Sequence, residues 1–155
     1  MADLNIIERA IIFATEAHAG QTYGPLPYVS HPIMVMTALA DYAVNDITQA
    51  AAILHDVVED TDHSPQDIDE HFGPYVAALV DILTHDEEET YFQYIERIAT
   101  TKNLFAIEIK RADLFVNMQM WGGVKAQRKR YEKALNILTV AADEITTEAK
   151  EKASK

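Results

Sequence analysis

The chain has 155 residues and no cysteine, which excludes disulfides, zinc–thiolate sites and thiolate nucleophiles. Its 25 acidic against 13 basic residues leave a net charge of −12, a field that opposes non-specific binding to DNA, RNA or an anionic membrane surface. Hydrophobic residues make up 48% and charged residues 25%, as in an ordinary globular protein, and no apolar run approaches the ~20 residues of a membrane span.

The acidic start "MADLNIIERA" has no basic leader region, so the expected location is the cytoplasm. The length suits one domain with a real core, placed at residues 1–145. In chain order, Asp3 is set to cap a helix carrying Leu4, Ile7, Ala10, Ile11 and Ala14 at helical spacing. "GQTYGPLPY" (20–28), with two glycines and two prolines, is a loop. Ser30 precedes the helix "HPIMVMTALADYA", whose Pro32 fits a first turn, and Asp46 is set to cap the apolar helix "ITQAAAILHDVVE". Ser64 and Pro65 open a short helix that ends near Gly73.

Next come "PYVAALVDILT", the acidic loop "HDEEET", and two segments of helical spacing, "YFQYIERIA" and "NLFAIEIKRADLFVNMQM". Gly122 and Gly123 break the pattern. A last helix starts near Lys125 with Tyr131, Leu135, Leu138 and Ala142 on one face, which could serve the core or a homo-oligomer. Residues 146–155 carry no apolar stripe and are expected to fray. With strand patterns absent, the expected fold class is all-α.

The chemistry concentrates in "AAILHDVVEDTD" (51–62), where His55, Asp56, Glu59 and Asp60 follow the most apolar helix of the chain. A charge in an apolar setting costs several kcal/mol unless it is paired or coordinated. On one helix Glu59 stands four residues after His55 and Asp60 four after Asp56, so the acidic pair lies one turn beyond the His-Asp pair. Imidazole with carboxylate is a ligand set for a divalent transition metal. His31 lies between a constrained loop and a helix start, and Asp113 sits among apolar residues with Lys110 three before it and Asn117 four after. His31, His55, Asp56 and Asp113 offer two nitrogens and two oxygens, leaving positions open for water and substrate.

"YVSHP", "ILHDVVEDT", "FGPYVAALVDILT" and "IKRADLFVNM", in this order, resemble the HD-domain phosphohydrolases, and among them the alarmone (p)ppGpp hydrolases of the SpoT/Rel type and their small stand-alone relatives. "FATEAHAGQ" and "YFQYIERIA" fit the same group. The resemblance implies a single compact all-α bundle around a central metal site, with a nucleotide as substrate. It implies that His31, His55, Asp56 and Asp113 ligate one divalent ion, commonly Mn²⁺, and that Glu59 and Asp60 form the catalytic acidic pair that orients the attacking water. It places Asn117 near the ribose and Tyr28 beside the substrate. Apart from the resemblance, Lys110 is a candidate for phosphate because it shares the Asp113 stripe, and Tyr23 in the loop 20–28 is a candidate for stacking on a base. The expected reaction is 3′-pyrophosphate removal from a guanosine bis(diphosphate). The alternatives are hydrolysis of a different nucleoside phosphate and a non-catalytic nucleotide- or metal-binding module. One departure bears on the substrate: the family's loop before "PY" usually carries a basic residue, and "TYGPLPY" has no Arg or Lys. The helix 125–133 holds five basic residues, Lys125, Arg128, Lys129, Arg130 and Lys133, for which an exposed face is the plain reading.

Overall fold

Helix α1 (Ile6–Ala17) begins at Asn5 rather than Asp3: the Asn5 side chain accepts from the Glu8 N–H, and Glu8 accepts in return from the Asn5 N–H. This reciprocal box satisfies two of the orphan donors of the first turn. The computed structural model describes residues 3–40, 42, 44–121 and 124–154. They fall into two compact units, residues 1–84 and 85–155, and their regular secondary structure is helical apart from one pair of two-residue strands. The expected all-α class is therefore what the chain adopts.

In the first unit, a hairpin forms within the segment read as a loop. Strands β1 (Thr22–Tyr23) and β2 (Leu26–Pro27) pair antiparallel, and Gly24, at φ 58°, takes the first position of the two-residue turn. That position needs a positive φ, which glycine adopts without steric cost. Helix α2 (Ser30–Ala38) follows, with Pro32 in its first turn and Ser30 its first residue.

Helix α3 (Asp46–Leu54) is capped by Asn45, whose side chain accepts from Thr48 N–H, so the residue before Asp46 does the work expected of Asp46. Residues Ala50, Ala51, Ala52, Ile53 and Leu54 are wholly buried. Three consecutive alanines let α1, α2 and α6 (Pro74–Leu83) all approach α3. Burial on every side is why this helix reads as apolar all round. Ile53 and Leu54 each contribute roughly 1.5–3 kcal/mol by leaving water.

The helix expected to run through Glu59 stops at Leu54, and the short helix α4 (Val57–Asp60) resumes after a turn at His55 and Asp56. The cause is local. His55 Nδ1 donates to the Ala52 carbonyl at 2.7 Å, taking the acceptor that a continuing helix would offer to the Asp56 N–H. Ser64 and Pro65 open α5 (Pro65–Phe72) through a capping box with Asp67, as expected, and Gly73 at φ 85° ends it.

In the second unit, Thr90 and Gln93 form the capping box of α7 (Tyr91–Thr100). Helix α8 (Leu104–Trp121) takes in "AIEIK", and α9 (Lys125–Ala153) packs on both α7 and α8 through Ala134, Leu138 and Ala142. The break read at Gly122 and Gly123 falls outside the described residues. Helix α9 continues through residues 146–153, where fraying is the sequence expectation; the residues there are exposed, and Glu, Ala and Lys favour the helix without packing.

Candidate metal centre and its carboxylates

Three predicted donors meet in the first unit. His31, His55 and Asp56 each present a ligand atom within 4.8 Å of the others. His31 Nε2 lies 3.4 Å from Asp56 Oδ2 and His55 Nε2 3.1 Å from Asp56 Oδ1. Both imidazoles are buried, at 3% and 2% exposure. The first turn of α2 carries His31, and the break between α3 and α4 aims His55 and Asp56 at the same point.

The donor chemistry fits a cation. Because His55 gives its Nδ1–H to Ala52, a neutral ring turns the Nε2 lone pair toward the Asp56 carboxylate. Two electron-rich atoms 3.1 Å apart in a buried setting repel unless a positive charge lies between them. The bond to a backbone carbonyl is also the partner that orients a metal-binding imidazole. Tyr23, only 7% exposed, lays its ring against His31 at 4.6 Å and limits its rotation.

Beside this centre, the Tyr28 hydroxyl is 2.7 Å from Asp56 Oδ2 and 3.0 Å from Asp60 Oδ2. Burial and the two carboxylates push the Tyr28 pKa far above the phenol range, so this group keeps its proton. Desolvation, then the charge of Asp56, raise the Asp60 carboxyl above its usual value, against the lowering effect of Tyr28, His18 and His55. Glu59 and Asp60 are exposed at the end of α4, within reach of solvent.

Two residues absent from the predicted set belong to this neighbourhood. His18, 3% exposed, stacks on Tyr28 at 4.3 Å, and Gln21 donates from Nε2 to the Asp60 carbonyl at 2.8 Å. The segment "HAGQ" was legible only as part of a wider resemblance. His63, His71 and His85 serve packing and local hydrogen bonds: His63 and His71 flank Phe13, and His85 bonds to the Glu89 carbonyl and lies near Tyr94.

The other predicted residues lie in the second unit. Asp113, 4% exposed on α8, accepts from Lys110 Nζ at 2.7 Å and from Asn117 Nδ2 at 2.7 Å. The stripe of Lys110, Asp113 and Asn117 read from spacing is thus one hydrogen-bonded group. Lys110 also sits over the Tyr94 ring at 5.0 Å. On α9, Arg128 pairs with Glu132, while Arg130 and Lys133 stack on Tyr91 and Phe92.

A family model described as HD domain matches residues 10–113, more than half of the chain, and spans all four predicted ligands. The chain belongs to the HD-domain family. This HD domain is 34% identical over 137 residues to the guanosine-3′,5′-bis(diphosphate) 3′-pyrophosphohydrolase of Vibrio cholerae, covering 82% of the chain and 19% of that relative. It is 33% identical over 134 residues to the bifunctional (p)ppGpp synthase/hydrolase SpoT of Escherichia coli K12, covering 80% of the chain and 19% of that protein. The chain thus spans about a fifth of the length of these curated relatives. Among solved structures, the HD domain is similar to a metazoan ortholog of SpoT described as hydrolysing ppGpp, with TM-score 0.71 and 27% identity over 96% of this chain and 98% of that one. A protein of Listeria monocytogenes EGD-e matches with TM-score 0.58 and 27% identity, over 70% of this chain and 78% of that one. No helix among the described residues is long and apolar enough to cross a membrane.

Proposed function

We propose that this HD domain is a metal-dependent phosphohydrolase that removes the 3′-pyrophosphate from a (p)ppGpp-like nucleotide. The observation that carries this is the convergence of His31, His55 and Asp56 within 4.8 Å, with Asp60 joined to the same carboxylate through Tyr28. Relatives named for this activity, and a solved structure of nearly the same extent described as hydrolysing ppGpp, support the substrate.

His31, His55 and Asp56 would hold one divalent ion, for which we propose Mn²⁺, with Asp113 as the fourth donor on the strength of its position in the family pattern. When bound, the ion polarises a phosphoryl oxygen and acidifies water. Asp60, whose pKa is raised, and Glu59 orient the attacking water and take its proton. Tyr28, which keeps its own proton, donates to the Asp60 carboxylate and fixes it. Lys110 and Asn117 are proposed to meet phosphate and sugar. Tyr23 is the proposed stacking partner for the base, with one ring face already taken by His31. Residues 1–145 are proposed to act as one domain, in the cytoplasm.

The hairpin 22–27 favours a second reading. Without Lys or Arg there, phosphate charge has to be met elsewhere, which suits a different nucleoside phosphate as substrate. Pyrophosphate release from (p)ppGpp and from a panel of ribo- and deoxynucleoside phosphates, with Mn²⁺ present, decides the matter. Turnover of (p)ppGpp above the panel is expected. Preference for another nucleotide installs the second reading, and failure to hydrolyse any of them removes both.

A further inference from the structure

Helix α4 is four residues long, too short to fix its own orientation, since a single turn gains too few hydrogen bonds to offset its ordering cost. Yet it carries the carboxylates on which hydrolysis would depend. Their placement has to be imposed from outside the helix.

The end of α1 and the hairpin supply that constraint. His18 closes α1, its N–H donating to the Ala14 carbonyl, and the Ala19 N–H donates to the Glu16 carbonyl. Gly20, at φ 83°, turns the chain, Gln21 N–H bonds back to the His18 carbonyl, and Tyr28 N–H bonds to the Gln21 carbonyl at 3.1 Å. The base of the hairpin is thereby closed, and the rings of His18 and Tyr28 stack across it at 4.3 Å and 27°.

From this frame Gln21 reaches 39 residues along the chain. Its Nε2 donates to the Asp60 carbonyl at 2.8 Å, one of the acceptors that a helix end leaves unmet. With the amide so oriented, its Oε1 faces His18 Nδ1 at 2.9 Å, and the imidazole must be the donor. His18 Nε2 is then the bare nitrogen, buried and without a hydrogen-bond partner among the described residues. The ring is spent on stacking and on orienting Gln21.

We propose that His18 and Gln21 are positioning residues of the hydrolytic site: they hold Tyr28 and the Asp60 end of α4 together, so that the Asp56 and Asp60 carboxylates keep a fixed separation. This rests on the phosphohydrolase reading for its kinetic consequence, but not for its structural one. Gln21 holds the backbone of Asp60 and Tyr28 holds its side chain, and the stacked His18 fixes both.

The test uses the Mn²⁺-loaded full chain and the variants Gln21→Ala, Gln21→Glu and His18→Phe. Gln21→Glu keeps the size and the acceptor for His18 but cannot donate to Asp60, and His18→Phe keeps a buried ring. In each, amide hydrogen exchange over residues 57–61 should quicken at least about tenfold while α1 and α3 keep wild-type protection. The value of kcat should fall roughly 10- to 100-fold with KM and the Mn²⁺ dissociation constant within about threefold of wild type. Wild-type exchange at 57–61 overturns the inference, as does faster exchange with unchanged kcat, or a loss spread equally over exchange, Mn²⁺ affinity and turnover. If wild type hydrolyses no nucleotide, the proposed function falls and the exchange result alone decides the positioning role.

Discussion

Lys110 and Asp113 form an ion pair at 2.7 Å within α8, with side chains 12% and 5% exposed. The pair sits three residues apart on one face, and Asn117 donates to the remaining oxygen of the same carboxylate. Lys110 is therefore tied to the carboxylate proposed as a metal donor, and the two proposed roles are coupled.

Replacing this lysine should separate them. In metal-free protein, Lys110→Ala strands a buried carboxylate, expected to cost about 3–5 kcal/mol and measured by chemical denaturation. With metal bound, KM for a polyphosphorylated nucleotide is expected to rise at least ~10-fold, as lost charge-assisted phosphate contacts imply. Lys110→Arg should recover most of both. A KM unchanged in the alanine variant would remove Lys110 from the phosphate contacts.

Metal binding should depend on all four proposed donors. Equilibrium dialysis against Mn²⁺ is expected to give one ion per chain, abolished in His31→Ala, His55→Ala and Asp113→Ala with far-ultraviolet circular dichroism retained. Chelation should lower the wild-type Tm and leave those variants unmoved, since only the folded form gains from binding. Full occupancy in Asp113→Ala would restrict the donors to the first unit.

Glu59→Gln and Asp60→Asn should divide binding from chemistry. Loss of a general acid–base group costs ~10²- to 10⁴-fold in rate. Neither side chain is a proposed donor, so Mn²⁺ stoichiometry should stay at the wild-type level. Normal turnover in both variants would place water activation on other groups.

Acid stability should report on Glu89. Three contacts of 2.6–3.1 Å from Arg97 hold its carboxyl below the ordinary value of 4.5. The unfolded chain therefore takes up this proton more readily than the folded one. The stabilisation is complete above the unfolded pKa and disappears as pH falls through the lower folded value. Glu89→Gln should lower Tm by ~2–4 °C at neutral pH, for a contribution of roughly 1 kcal/mol, and the difference should vanish in strong acid. A constant difference across the acid range would mean the glutamate acts through packing alone.

Much of this was legible from residue order. Helical spacing placed the long helices, because buried faces there repeat every three or four residues, and the His-Asp pair after an apolar run marked the point where His31, His55 and Asp56 meet. What escaped was decided by short-range geometry. Asn5 and Asn45 cap in place of the nearby Asp3 and Asp46, a choice of one or two residues between side chains of nearly equal preference. The hairpin 22–27 is too short for alternation to register. His18 and Gln21 act on residues far along the chain, so no local pattern marks them, and Glu89 hid in an acidic run until Arg97 singled it out.

The turn at His55 and Asp56 makes residue number a functional variable in its own right. The segment from His55 to Asp60 is tied at one end by the His55 ring to the Ala52 carbonyl and at the other by Gln21 to the Asp60 carbonyl. One residue added or removed would shift Asp60 by about 1.5 Å and turn it by roughly 100°. Side chains at Val57 and Val58 could be exchanged for others of similar bulk, whereas no substitution compensates a change of length. Drift in this protein would therefore be expected to proceed by replacement in this segment and by insertion elsewhere, with the count from histidine to aspartate as the quantity that resists change.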